Sequence, residues 1–247
     1  MTTMIGLSSG SAAGLGATEL ARLVRSLGGT AVDVRAGKGH GWQREGLAGL
    51  RAAGVEVCFV GVGTVLGDGA APTGDERAFL EPGVPVKVFA AAGCLAADRI
   101  GTTLAQVREL AELVGGPELV LVETHHGYAS VPELVELVER AGSRVLLDTM
   151  GLARIHPDPV AAAATLAPWT SHAQVKGFDW SAPDTSRHRP LAASCAAETR
   201  AVLTAAGALR AVTVESKAEA SLAEDVALLR SWYPIDTAPE AGAEALS

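Results

Sequence analysis

The chain has 247 residues, 48% of them hydrophobic, and carries 20 Lys and Arg against 28 Asp and Glu, a formal net charge of -8. Such a length holds one large core, whereas two unrelated domains would each be small. The negative charge repels a polyphosphate backbone, so the composition points away from nucleic acid and towards a small-molecule partner. Taken in chain order, a first strand at 4–8 (MIGLS) precedes a helix at about 17–28, and a second strand at 31–35 (AVDVR) precedes a helix at 43–53. A third strand, 55–61 (VEVCFVG), leads into an irregular connection with a weaker helix near 74–80. Strand 86–90 (VKVFA) is followed by helix 102–115, strand 118–123 (ELVLVE) by helix 130–142, and strand 144–149 (RVLLDT) by helix 158–168. Strand 171–176 (SHAQVK) with helix 194–206, and strand 210–215 (RAVTVE) with helix 219–232, complete the series. The strands are short β-branched and apolar runs bounded by Gly or polar residues, and the helices are amphipathic.

Capping-box spacing at Thr103 with Gln106 and at Ser130 with Glu133 marks two helix starts. Eight strands alternating with helices give an α/β fold with a parallel sheet, either closed or open. An open dinucleotide-binding sheet should show a glycine fingerprint after its first strand, and SSGSAAGLGATEL gives no convincing GxGxxG. A single (β/α)8 barrel over residues 1–233 is therefore expected. The segment 234–247, rich in Pro, Ala and acidic residues, reads as a mobile tail. Cys58, Cys94 and Cys195 have no CxxC spacing, which suggests reduced thiols in a cytoplasm. The N-terminus lacks the pattern of an export signal and no run of about 18 apolar residues occurs, so neither export nor a membrane span is expected.

In such a barrel catalytic side chains stand at the C-terminal ends of strands, so a polar residue ending an apolar strand is informative. Four successive strands end this way: LVLVE at Glu123, VLLD at Asp148, HAQVK with Gln174, and AVTVE at Glu215. Period-two alternation places Leu119, Leu121 and Glu123 on one face, and likewise Leu146 with Asp148. Three carboxylates converging at one mouth repel unless a cation is present or their pKa values rise. With the Gln174 amide the set is all oxygen. One divalent cation is expected, Mn2+ or Mg2+ ahead of Zn2+ or Co2+.

The segments VDVRAGKGHGW, LVLVETHHG, RVLLDTMGLA, HAQVKGFD and AVTVES resemble the xylose-isomerase-like barrel family. The resemblance spans most of the chain. It implies metal ligands from strands five to eight in the order Glu, Asp, His or Gln, Glu, matching Glu123, Asp148, Gln174 and Glu215. It also implies that Glu123 and Glu215 double as acid–base groups. Gln174, where many members carry His, resembles the hydroxypyruvate-isomerase branch, and Gly151 stands where members often carry a further His. The missing histidines argue against the multi-zinc repair nucleases of the family.

Other polar residues fall on the same rim. Arg35 ends strand two, where it either binds a substrate oxygen or neutralises Asp33 or the acid cluster. His40 and Trp42 lie in a Gly-rich loop suited to hydrogen bonding and stacking of a sugar, or to packing on the barrel. His125 follows Glu123 on its side of the chain and either contacts substrate or orients a carboxylate. His172 reads as a buried hydrogen-bonded residue. Lys176 reads as a counter-charge and a contact for phosphate or carboxylate; as a Schiff-base lysine it would need a lowered pKa, which the acids oppose. Arg187, His188 and Arg189 follow strand seven, where the resemblance implies a substrate-binding Arg, with Arg187 as the candidate.

These residues together predict a metal-dependent isomerase or epimerase of a small hydroxy-ketone, sugar or sugar acid. A dehydratase resembling dehydroshikimate dehydratase is the enzyme alternative, and a barrel kept for binding or a specialised reaction is the other. The short loops leave the pocket open or completed by a second subunit of a homo-oligomer.

Overall fold

The computed structural model describes residues 2–233, so the expected tail lies outside the described residues. Eight parallel strands close into a barrel in chain order: β1 (Met4–Ser8), β2 (Ala31–Arg35), β3 (Glu56–Leu66), β4 (Val86–Ala90), β5 (Val120–Glu123), β6 (Arg144–Asp148), β7 (Thr170–Val175) and β8 (Ala211–Val214). Closure is made by β8 against β1, with Met4 opposite Ala211 and Leu7 opposite Val214. The (β/α)8 architecture expected from the alternating pattern is the one observed.

Helices α1 (Ala17–Ser26), α2 (Gly46–Ala52), α3 (Gly74–Arg77), α4 (Ile100–Val114), α5 (Val131–Ala141), α6 (Thr149–Ile155), α7 (Pro159–Leu166), α8 (Leu191–Ser194), α9 (Ala196–Ala205) and α10 (Leu222–Trp232) connect the strands. Outward strand residues such as Val32, Val34, Val86, Val88, Val120, Val122, Val145 and Leu147 bury against the apolar faces of these helices in one continuous core. Inside the barrel a second, smaller core holds Ala31, Cys58, Phe59, Leu121, Leu146 and Ala211. Two neighbours, Cys58 and Phe59, enter it because the β2–β3 register shifts there: Val32 faces Val57 but Asp33 faces Phe59.

The capping box at Ser130 is present, Ser130 N–H donating to Glu133 Oε2 at 2.8 Å. That at Thr103 is not. The helix begins earlier, at Ile100, so Thr103 lies inside its first turn and its hydroxyl donates back to Cys94 O at 2.7 Å and Arg99 O at 3.2 Å. Gln106 instead ties down the loop after β3, accepting the Gly67 N–H at 2.7 Å. β3 runs on to Leu66, five residues past its predicted end. Helices α6 and α8 were not foreseen. Among the described residues no helix is long and apolar enough to cross a membrane.

Candidate active site at the barrel mouth

Glu123 and Asp148 are the last residues of β5 and β6, Gln174 lies in β7 opposite Asp148, and Glu215 follows β8 directly. All four are buried. They share the mouth with four inward side chains from other strands: Ser8 of β1, Asp33 and Arg35 of β2, and Lys87 of β4. Lys176, one residue past β7 and on the Gln174 side of the strand, is also buried.

Every carboxylate of the expected metal set holds a cation supplied by the chain. Lys176 Nζ lies 2.5 Å from Asp148 Oδ2 and 3.3 Å from Glu215 Oε2. Lys87 Nζ lies 2.6 Å from Glu123 Oε2 and 3.8 Å from the centre of the Phe89 ring. Arg35 Nη2 lies 2.6 Å from Glu215 Oε1. Of the readings open for Arg35, neutralising the acid cluster is therefore the one its contact shows. Asp148 is committed on both oxygens, because Oδ1 accepts the Gly151 N–H at 2.6 Å as the N-cap of α6. Gln174 turns its amide nitrogen to Asp33, 3.3 Å from Oδ2, while Ser8 Oγ donates to Asp33 Oδ1 at 2.7 Å.

Burial works to raise the Glu123 and Glu215 carboxyls. For Glu123 the charges of Lys87 and Lys176, and for Glu215 those of Lys176 and Arg35, outweigh it and hold both below the ordinary carboxylate range. At Asp148 burial and the Glu123 charge win over Lys176, so this carboxyl rises. Among the described residues Asp33 has no cation in contact, and burial lifts it to about 6. Lys176 is disfavoured by burial, but Asp148, Glu215 and Glu123 push it well above the usual lysine range. A permanently protonated amine is a poor Schiff-base nucleophile and a good hydrogen-bond donor.

The rim residues divide. His125 packs against Phe89 and Tyr128, ring centres 5.1 and 5.3 Å away, and helps to lower Glu123, whereas His126 is exposed. His40 is half-buried with Nδ1 3.2 Å from Ser9 Oγ, which places it over the β1–β2 edge of the mouth. Trp42 is a correction: it is fully buried, edge-on to Phe79 at 4.8 Å between centres, and offers no face to a sugar. Arg187 is exposed on a cleft of about 520 Å³ lined also by Met150, Arg154, His188 and Lys217. His188 and Glu215 influence one another's protonation, so this basic cleft adjoins the carboxylates. His172 is buried deeper, bonded to Ser171 Oγ at 2.8 Å and pushed down to about 4 by burial, as a structural histidine should be.

Lys87 and Asp33 were not proposed as site residues from sequence. In VKVFA the lysine looks like the outward polar residue of an ordinary strand. Its signal was Phe89, two residues on and so on the same face, which a lysine facing solvent would leave exposed.

The partners of the carboxylates decide whether a divalent cation fits. Glu123 Oε2, Asp148 Oδ2 and Glu215 Oε2 are buried without a well-aligned hydrogen bond, and each instead faces an ammonium group. Among the described residues no group of three or more His, Cys, Asp or Glu is disposed to hold a metal ion. As arranged, these residues do not fit a divalent cation; the counter-charge that three carboxylates require is already present as Lys176, Lys87 and Arg35.

No family model matches the chain, and no curated protein matches it. Solved structures do match in fold. A probable 3-DHS dehydratase, AsbF, of Bacillus anthracis superposes with a TM-score of 0.63 over 92% of this chain and 98% of its own, at 16% identity. The 3-keto-D-glucoside 4-epimerase YcjR of E. coli gives 0.67 over 93% and 98%, at 14% identity. A xylose isomerase domain protein of Salmonella typhimurium gives 0.64 over 91% and 95%, at 17% identity. The chain has the fold of the xylose isomerase-like TIM barrels.

Proposed function

We propose that the chain is an isomerase or epimerase of a small hydroxy-ketone, a sugar or sugar acid, which removes and returns a proton on the carbon beside a carbonyl. The observation that carries this reading is the pair of buried glutamates at the ends of β5 and β8, both held ionised, with the Lys176 ammonium beside Glu215 and influencing Glu123. A general base must be unprotonated at working pH, and the enolate formed as the C–H bond breaks needs a positive donor at its oxygen. Glu123 and Glu215 meet the first requirement and Lys176 the second. The two glutamates stand three strands apart around the ring, so they can address opposite faces of a bound carbon. A barrel kept only for binding would have no need to turn both inward. His40, His125 and Arg187 on the rim are suited to hydroxyl or carboxylate groups of the substrate.

Epimerisation beside a carbonyl and loss of a β-hydroxyl can both begin with removal of the proton on the carbon next to the carbonyl, and this first step is the one proposed for the chain. The test is solvent exchange. Small ketoses, keto-acids and hydroxy-keto acids incubated with the protein in D2O should show, by NMR, deuterium at the carbon beside the carbonyl of at least one of them. Exchange should fall by about 10³-fold or more in both Glu123→Gln and Glu215→Gln. A product lighter by one water would move the reading to the dehydratase. Absence of exchange across the panel, or full exchange in either variant, would sink it.

A further inference from the structure

The positions of the cations around the three carboxylates carry a consequence for how the site is charged. β7 lies between β6 and β8, and Lys176 follows its end, so its ammonium reaches Asp148 on one side and Glu215 on the other. This is the point on which the acidic ends of β5, β6 and β8 converge. Glu123 is held from the far side by Lys87 of β4. Neither Asp148 oxygen is free, since Gly151 N–H takes Oδ1 and Lys176 takes Oδ2. Neither Glu215 oxygen is free either, with Arg35 on Oε1 and Lys176 on Oε2. Three carboxylates and three cations balance, and a divalent ion placed among them would face the repulsion of Lys176 at close range.

We infer that the Lys176 ammonium stands where the sequence led us to expect a divalent cation, and that the mouth works without a metal ion. The step rests on the proton-transfer reading above, but the charge replacement does not. In that step a glutamate oxygen takes the C–H proton, and the electron pair of the broken bond becomes the enolate double bond. The former carbonyl oxygen carries the negative charge and accepts a hydrogen bond from Lys176. The proton then returns to the same carbon or its neighbour, and Lys176 keeps its own protons throughout. Lys176 is thus a catalytic residue, while Lys87 and Arg35 position the glutamates.

The experiment uses the full chain, stripped with EDTA and titrated with MnCl2, free Mn2+ being read by electron paramagnetic resonance. The wild type should take up no stoichiometric Mn2+ to about 1 mM, whereas Lys176→Met, which opens the carboxylates, should bind at least about tenfold more tightly. One equivalent bound by the wild type at micromolar Mn2+, and lost in Glu215→Gln, would overturn the inference. So would a folded Lys176→Met variant that gains nothing. If Lys176→Met does not fold, the wild-type titration with its Glu215→Gln control decides alone. The readout is metal uptake, so it stands whether or not deuterium exchange is found; where exchange is found, it should survive EDTA.

Discussion

The lower and upper halves of the same eight strands solve opposite problems. In the lower half Ala31, Cys58, Phe59, Leu121, Leu146 and Ala211 fill the barrel with apolar volume, and burial favours the neutral form of both Cys58 and His172, which lies beside Phe59. Two to four residues further on, the interior changes to Asp33, Glu123, Asp148, Gln174, Lys176 and Glu215, joined by the Lys87 ammonium that reaches Glu123 from the level of Leu121, all buried but held by polar and charged contacts. The lower half gains from removing apolar surface from water. The upper half loses from desolvating ions, and ion-pair contacts offset that only in part. A mouth built this way is costly to the fold, which is what a site retained for chemistry should look like.

The contrast can be broken first from below. Phe59 is fully buried, edge-on to His172 with ring centres 6.1 Å apart. Phe59→Ala should destabilise the protein by about 3–5 kcal/mol, read from urea unfolding. Its effect should be nearly independent of salt, since no charge is exposed. A loss below about 1 kcal/mol would mean that the inner core is loose and that the helices alone hold the barrel.

A smaller effect is expected at the edge of the mouth. A Cβ built at Gly151 would lie 2.0 Å from the Thr124 carbonyl oxygen, which is backbone and cannot rotate away. Gly151→Ala should therefore cost about 1–3 kcal/mol. It should also loosen the cap on Asp148, whose Oδ1 accepts the N–H of this residue. A His at this position would likewise require a different path for the strand-five loop. Unchanged stability in Gly151→Ala would show that this loop yields readily.

These positions also show what could be read without a structure. The strand bounds came close because a barrel strand is an apolar run ending abruptly in a polar residue, and Glu123, Asp148, Gln174 and Glu215 stood out for that reason. Helix α6 was missed because Asp148 ends a strand and caps a helix at once, leaving no loop to mark the boundary. The bulge at Cys58 was invisible because an extra apolar residue in an apolar run changes no pattern. Lys87 was missed because alternation gives two faces without saying which one is inside. For Trp42 the stacking and packing readings stayed open, because an aromatic in a Gly-rich loop looks the same whether it folds inward onto Phe79 or outward to a ligand; the structure shows the inward one. The need for a cation was legible, and Lys176 and Arg35 already read as possible counter-charges; that Lys87 joins them, so that every carboxylate of the set meets a cation, was not, since it depends on which face of β4 turns inward.

The finest probe of the contrast is Asp33, the one acid of the mouth without a cation in contact. Its carboxyl rises from 3.8 to about 6 because it is buried. A raised acid binds its proton more tightly in the folded state, so between about pH 4 and 6 the folded chain holds a proton that the unfolded chain has lost. Stability from this group is present at the acid end and is lost as pH rises through about 6. Above that, the buried ionised carboxylate costs roughly 2–3 kcal/mol. Asp33→Asn carries no charge at any pH and keeps an oxygen to accept from Ser8 Oγ. At pH 5 the variant and the wild type should unfold at nearly the same urea concentration; at pH 8 the variant should be the more stable, by roughly 1–2 kcal/mol once imperfect hydrogen bonding to Gln174 is allowed for. A difference that stays constant between the two pH values would mean that Asp33 is ionised throughout, and that Arg35 serves it as well as Glu215.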